Sequence, residues 1–110
     1  MSKGVGLPRH RAPTHPGEVL LKDFLEPMGV SQAELARSLG IPFQRVNEIV
    51  HGRRGITAET AILLAQFFGM DAGFWIQAQS NVDLFKAHEH LAGQLEKIPR
   101  ARDLHPQQAC

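Results

Sequence analysis

A short stretch of the chain, Phe43-Gln44-Arg45-Val46-Asn47-Glu48, carries side chains able to pair with nucleic-acid bases. An amide such as Gln44 or Asn47 can meet adenine at two points, an arginine such as Arg45 can do the same with guanine, and Phe43 can press on a thymine methyl. Each good two-point pair contributes ~1–3 kcal/mol of discrimination. Glu48 can accept from a cytosine amino group, but so close to Arg53 and Arg54 an ion pair is the stronger expectation. Arg53 and Arg54 suit phosphate on one flank, and Ser31, Gln32 and the backbone N–H groups after them suit it on the other. His51 reads as a capping or phosphate-side group.

Other chemistries find little support. His88-Glu89-His90 places two imidazoles two residues apart, on different faces of a helix, unlike the four-residue spacing of a zinc-binding pair. Glycines 4, 6, 17 and 29 form no phosphate loop, and no serine or cysteine sits in a nucleophile motif. The single cysteine, Cys110, is the final residue and cannot build an internal disulfide or a metal quartet. The expectation is a protein with no catalytic residues, no metal and no cofactor.

The elements that must carry the base-pairing residues are helices. Strict alternation of apolar residues is missing, while 3.6-residue periodicity runs from Pro16 onward. A first helix opens at Thr14 or His15 with Pro16 in its first turn, shares Leu20 and Phe24 on one face, and is expected to stop at Pro27 and Gly29. Ser31-Gln32-Ala33-Glu34 is a capping box that starts a second helix through Leu35, Ala36 and Leu39 to Gly40. Pro42 opens a third, Phe43 to His51, closed by Gly52. A fourth follows Thr57 and buries Ala61, Leu64, Ala65 and Phe68. A fifth follows Asp71, with Phe74, Ala78, Val82 and Phe85 as its stripe and Trp75 beside it.

The fold class is therefore all-α, with five helices. Residues 1–13 are expected to form a flexible segment, 14–95 one domain, and 96–110 a flexible tail. No run approaches the roughly 20 apolar residues of a membrane helix, and the N-terminus has no apolar stretch for a secretory signal, so a cytoplasmic protein is expected.

The second and third helices meet the demands of a helix-turn-helix. Two helices crossing steeply need a small residue at the crossing, a glycine at the turn and large apolar residues on either side. Ala36, Gly40, and the set Leu35, Leu39, Ile41, Val46 and Ile49 supply them. With those turned inward, Phe43, Gln44, Arg45, Asn47, Glu48 and His51 face outward, where such a motif meets the major groove. The net charge of +1 hides a local asymmetry. From Arg37 to Arg54 four arginines oppose one acid, whereas after Gly55 six acids oppose four bases.

The runs His15-Pro16-Gly17-Glu18-Val19-Leu20, Phe24-Leu25-Glu26-Pro27-Met28-Gly29, Val46-Asn47-Glu48-Ile49-Val50-His51-Gly52-Arg53-Arg54-Gly55-Ile56-Thr57 and Phe74-Trp75 go beyond a generic helix-turn-helix. Together, over about residues 13 to 90, they resemble the HigA (VapI-like) antitoxins of bacterial toxin–antitoxin modules, within the Cro/C1 repressor type. The resemblance implies a five-helix Cro/C1-like fold and a homodimer on a palindromic operator in double-stranded DNA. It also implies repression of the protein's own operon and neutralisation of a HigB-like, mRNA-cleaving toxin. Members of that family often carry proline and arginine where this chain has Phe43 and Gln44, so the operator sequence does not transfer. A stand-alone regulator with the same DNA chemistry is the alternative, and a helix-turn-helix reused for protein contact is a third reading.

A dimer must hold two reading helices about one DNA turn apart, roughly 34 Å. Phe74 and Trp75 are the candidates for that contact. Phe74 is expected to complete the core, and Trp75 is evenly placed between core and interface.

Overall fold

The structure is a computed structural model that describes residues 12–104. Expectations for residues 1–11 and 105–110, Cys110 included, lie outside the described residues. Those described are helical or irregular, with no strand among them.

One continuous helix, α1, opens the fold as Pro16–Val19, widens into a π-type stretch over Leu20–Leu25, and ends as Glu26–Met28. His15 caps it, its ring Nδ1 accepting from the Gly17 N–H at 2.9 Å. The helix ends at Gly29, in left-handed geometry at φ 68°, as expected, but it does not stop at Pro27. A proline ring in a regular helix presses on the carbonyl four residues back and removes a hydrogen bond; here the widened turn lies where that clash would fall, and the Glu26 N–H bonds to the Leu21 carbonyl instead. The wider register also resets the buried face. In i→i+5 geometry Leu20 and Leu25 come onto one side, and both are 1% exposed, while Phe24 is only partly buried.

Helices α2 (Gln32–Leu39) and α3 (Phe43–Val50) follow. Both halves of the capping box form: Ser31 Oγ accepts from the Glu34 N–H at 3.0 Å, and the Ser31 N–H donates to Glu34 Oε1 at 2.9 Å. Gly40 ends α2 at φ 73°, a conformation that costs a side-chain-bearing residue a Cβ clash, and its N–H satisfies the Ala36 and Arg37 carbonyls. Pro42 stands in extended geometry before α3. Then come α4 (Ala58–Phe68), capped by Thr57, and α5 (Ala72–Leu95), capped by Asp71. A short turn of helix, α6 (Ala101–Leu104), forms in the stretch expected to be a tail without structure.

The core gathers one face from each of the five long helices: Leu20 and Leu25, Leu35 and Ala36, Val46 and Ile49, Ala61 and Leu64, and Trp75, with Ile56 from the turn after α3. The inward stripe of α5 keeps Ala78, Val82 and Phe85 from the expected one and takes Trp75 in place of Phe74. Trp75 and Val82 are buried, Ala78 and Gln79 are half-buried between them, and Phe74 is 45% exposed. Beyond Val82 no residue of α5 is buried. At 1.5 Å per residue this helix is about 36 Å long, so its distal half extends past the body.

Candidate nucleic-acid interface

Val46 and Ile49, both 1% exposed, anchor α3 to the core and leave its remaining faces to solvent. A close backbone contact supports it from behind. At Gly17 of α1, a Cβ would stand 1.7 Å from the Ile49 carbonyl oxygen, so only glycine lets the two helices approach this far. The His15 ring covers Gly52 just beyond, and Gly52 at φ 75° turns the chain away from the helix. Burial depresses the His15 pKa, aided by Lys86 of α5 and opposed by Asp83. A neutral imidazole is what its Nδ1 needs in order to accept the capping N–H.

The four residues expected to meet bases lie at the start of α3. Phe43 is 51% exposed and Gln44 is exposed, while Arg45 and Asn47 are half-buried. Two of the four are tied by side-chain hydrogen bonds. Asn47 Nδ2 donates to Gln32 Oε1 at 3.0 Å, joining α3 to the first residue of α2. Gln32 then keeps its NH2 group for an anionic oxygen, and Asn47 keeps its Oδ1 and second N–H. Gln44 Nε2 donates to Glu48 Oε2 at 3.3 Å, one turn along the same helix. Arg45 lines a cleft of about 150 Å³ with Arg54, Gly55, Thr57, Glu59 and Thr60, at the N-terminal end of α4.

Glu48 takes up Arg54, with Arg54 Nε 2.9 Å from Glu48 Oε1. The Arg54 hydrogen bond, helped by the nearby positive charge and by Gln44, holds the Glu48 carboxyl below its ordinary range. The glutamate thus acts on its neighbours rather than standing free before a base, as its spacing from the arginines suggested. Arg53 and Arg54 are both exposed on the turn after α3. His51 ends the helix, its Nδ1 2.8 Å from the Asn47 carbonyl oxygen. At the other flank Ser31 accepts the capping N–H, which leaves its hydroxyl proton available to an acceptor.

For the proposed dimer contact the structure decides Trp75 for the core and overturns the expectation that Phe74 completes it. Trp75 is fully buried, with ring centroids 5.1 Å from Phe24 and 6.3 Å from Phe68, so it has no surface to offer a second chain. Phe74 packs edge-on against Trp75 at 5.1 Å and leaves 45% of itself exposed. Two supporting residues escaped the sequence reading, Gly17 and Gln79, as did the bond by which Gln32, expected at phosphate, holds Asn47. Only Gln79 left a trace, a polar residue in a stripe that helical spacing places inward.

The family model described as helix-turn-helix, HTH_3, matches residues 21–75. Virulence-associated protein I of Dichelobacter nodosus is 47% identical over 75 residues, covering 68% of this chain and 69% of that protein. Antitoxin HigA-1 of Vibrio cholerae is 39% identical over 75 residues, 68% of this chain and 70% of its own length. Among solved structures, antitoxin HigA of Pseudomonas aeruginosa with the higBA promoter superposes with a TM-score of 0.75 at 39% identity. That match covers 81% of this chain and 97% of the other.

Proposed function

Because the chain belongs to the helix-turn-helix family, and within it to the group of HigA and virulence-associated protein I, we propose that it is an antitoxin that binds operator DNA. On this reading it is a binding protein and not an enzyme, acts in the cytoplasm, and represses its own operon. The observation that carries the reading is the outward row of α3, Phe43, Gln44, Arg45 and Asn47, held on a helix fixed to the core by Val46 and Ile49. Phosphate on either side falls to Ser31, Gln32, Arg53 and Arg54. No helix among the described residues is long and apolar enough to cross a membrane.

A mobility shift on the DNA upstream of its own gene tests the proposal. Binding that weakens steeply with salt is expected, and no binding at low salt would leave only the protein-contact reading. Arg45→Ala should cost about 1–3 kcal/mol at one base position and little elsewhere. Competition with single-base variants of the site measures this, and equal loss on every sequence would deny Arg45 a reading role. Arg53→Ala should weaken all sequences alike and flatten the salt dependence by about one unit. An unchanged slope would mean that it touches no phosphate.

The palindromic site implies two copies of the chain, and the exposed Phe74 on α5 is the candidate contact. Neutralisation of a HigB-like toxin completes the proposal. Co-purification with, and protection from, the product of an adjacent gene encoding a small basic RNase-like protein would support it. Operator binding without any such neighbour would favour the stand-alone regulator.

A further inference from the structure

The turn that carries Arg53 and Arg54 is held from outside the helix-turn-helix. Its start is tied to α3, with the Gly52 N–H bonding to the Ile49 carbonyl and the Arg53 N–H to the Glu48 carbonyl. Its end is tied to α5. The Ile56 N–H donates to Gln79 Oε1 at 2.8 Å, a partner 23 residues later in the chain.

Gln79 is oriented for that bond. Its Nε2 donates to Asp83 Oδ1 at 3.0 Å, one helical turn on. A reversed amide would set its NH2 against the Ile56 N–H and its oxygen against a carboxylate, so Asp83 fixes which end faces the turn. Gly55 rests on the same group. A Cβ added there would stand 3.0 Å from Gln79 Cδ, Nε2 and Oε1 alike, and three equal distances put that position over the amide face, where a side chain would crowd Gln79. Core filling alone does not call for an amide here. The position lies between buried Trp75 and Val82, where an apolar side chain needs no hydrogen-bond partner and an amide does.

We infer that Gln79 is a positioning residue for DNA binding: it fixes the path of residues 53–55 against α5, and with it the point from which Arg53 and Arg54 reach phosphate. This rests on the DNA-binding reading given above. One consequence is that α5, which also bears Phe74, connects the proposed contact between copies to the phosphate-binding turn, by the Gln79 bond as well as by the core packing of Ile56.

The test is Gln79→Met in the full chain, which fills the stripe and removes the acceptor. Amide exchange at Ile56 should quicken at least about tenfold, while Val46 and Ile49 keep their protection. Affinity for the duplex upstream of its own gene should show a salt slope flatter by about one unit. The loss is then about 3.5-fold larger at ~50 mM salt than at ~200 mM. In a chain that already carries Arg53→Ala and Arg54→Ala, Gln79→Met should flatten the slope no further.

A wild-type slope in the variant, or additive flattening in the triple variant, overturns the inference. Should Gln79→Met fail to fold, Asp83→Ala, at an exposed position, removes the orienting bond together with a charge that acts on His15; a partial flattening that vanishes in the chain carrying Arg53→Ala and Arg54→Ala supports the inference, and an unchanged slope overturns it. If the wild-type chain binds no duplex at low salt, the DNA-binding reading itself has failed and this inference falls with it.

Discussion

Gly17→Ala is expected to destabilise the fold by about 3 kcal/mol, at the upper end of what forced overpacking costs. The added methyl would stand 1.7 Å from the Ile49 carbonyl oxygen and 2.7 Å from its carbon, and both are backbone atoms that no rotamer change can clear. Relief requires α1 and α3 to separate, which opens the seam between Leu20 and Ile49. Against a total of about 5–15 kcal/mol for a domain, such a loss is a large share. Urea unfolding measures it, with the midpoint lowered. The matched control is Gly93→Ala in α5, where a Cβ meets nothing within 4 Å; there the change should stabilise by about 0.4–1 kcal/mol. Equal midpoints for the two variants would show that the Gly17 contact gives way freely. Because Ile49 lies in the last turn of the reading helix, any Gly17→Ala protein that still folds should also bind DNA more weakly.

The second large effect is expected at Trp75. Truncation to alanine removes the centre of a cluster in which Phe24, Phe68 and Phe74 all lie within 6.3 Å of its ring. A cost of about 3–5 kcal/mol is the usual range for an aromatic deleted from a core. Trp75→Phe should cost much less. The indole N–H is buried with no hydrogen-bond partner among the described residues, so phenylalanine loses ring area but also removes a polar group in an unfavourable place. Chemical denaturation of the two variants separates these terms. A phenylalanine variant as unstable as the alanine one would mean that the indole's own N–H or bicyclic shape, and not buried ring volume, decides the site. As the chain's one tryptophan, Trp75 also serves as the fluorescence reporter for the wild-type unfolding curve.

What could be read from the sequence depended on distance along the chain. The capping box at Ser31 and Glu34, the turn at Gly40 and the start at Pro42 are decided within four residues, and each lies where local rules put it. The seven apolar and small positions of the helix-turn-helix likewise share one helical period or one turn. Pro27 shows where those rules give out. A proline ends a regular helix, but a π-type turn just before it lets α1 continue and moves the buried partner of Leu20 from Phe24 to Leu25. On α5 the apolar pattern puts Ala78, Val82 and Phe85 inward as the spacing predicts, but two adjacent aromatics compete for the first turn. It is Trp75, packed among Phe24 and Phe68, that is buried, and Phe74 that is left half in solvent. Within the site, the outward row of α3 follows from periodicity, whereas the hydrogen bond from Asn47 to Gln32 joins residues 15 apart and has no local signature.

The outward row of α3 separates two properties that many interfaces bind together. Phe43 and Gln44 are exposed, and Gln44 bonds only to a neighbour on its own helix, so substitutions there draw little on the folding free energy. Asn47 is different, because its bond crosses to α2. If the row reads DNA as proposed, such a chain is free to drift toward a new operator through positions 43 and 44 without first acquiring stability elsewhere. Duplicated copies in one genome could become insulated from one another by a few substitutions at one end of a single helix.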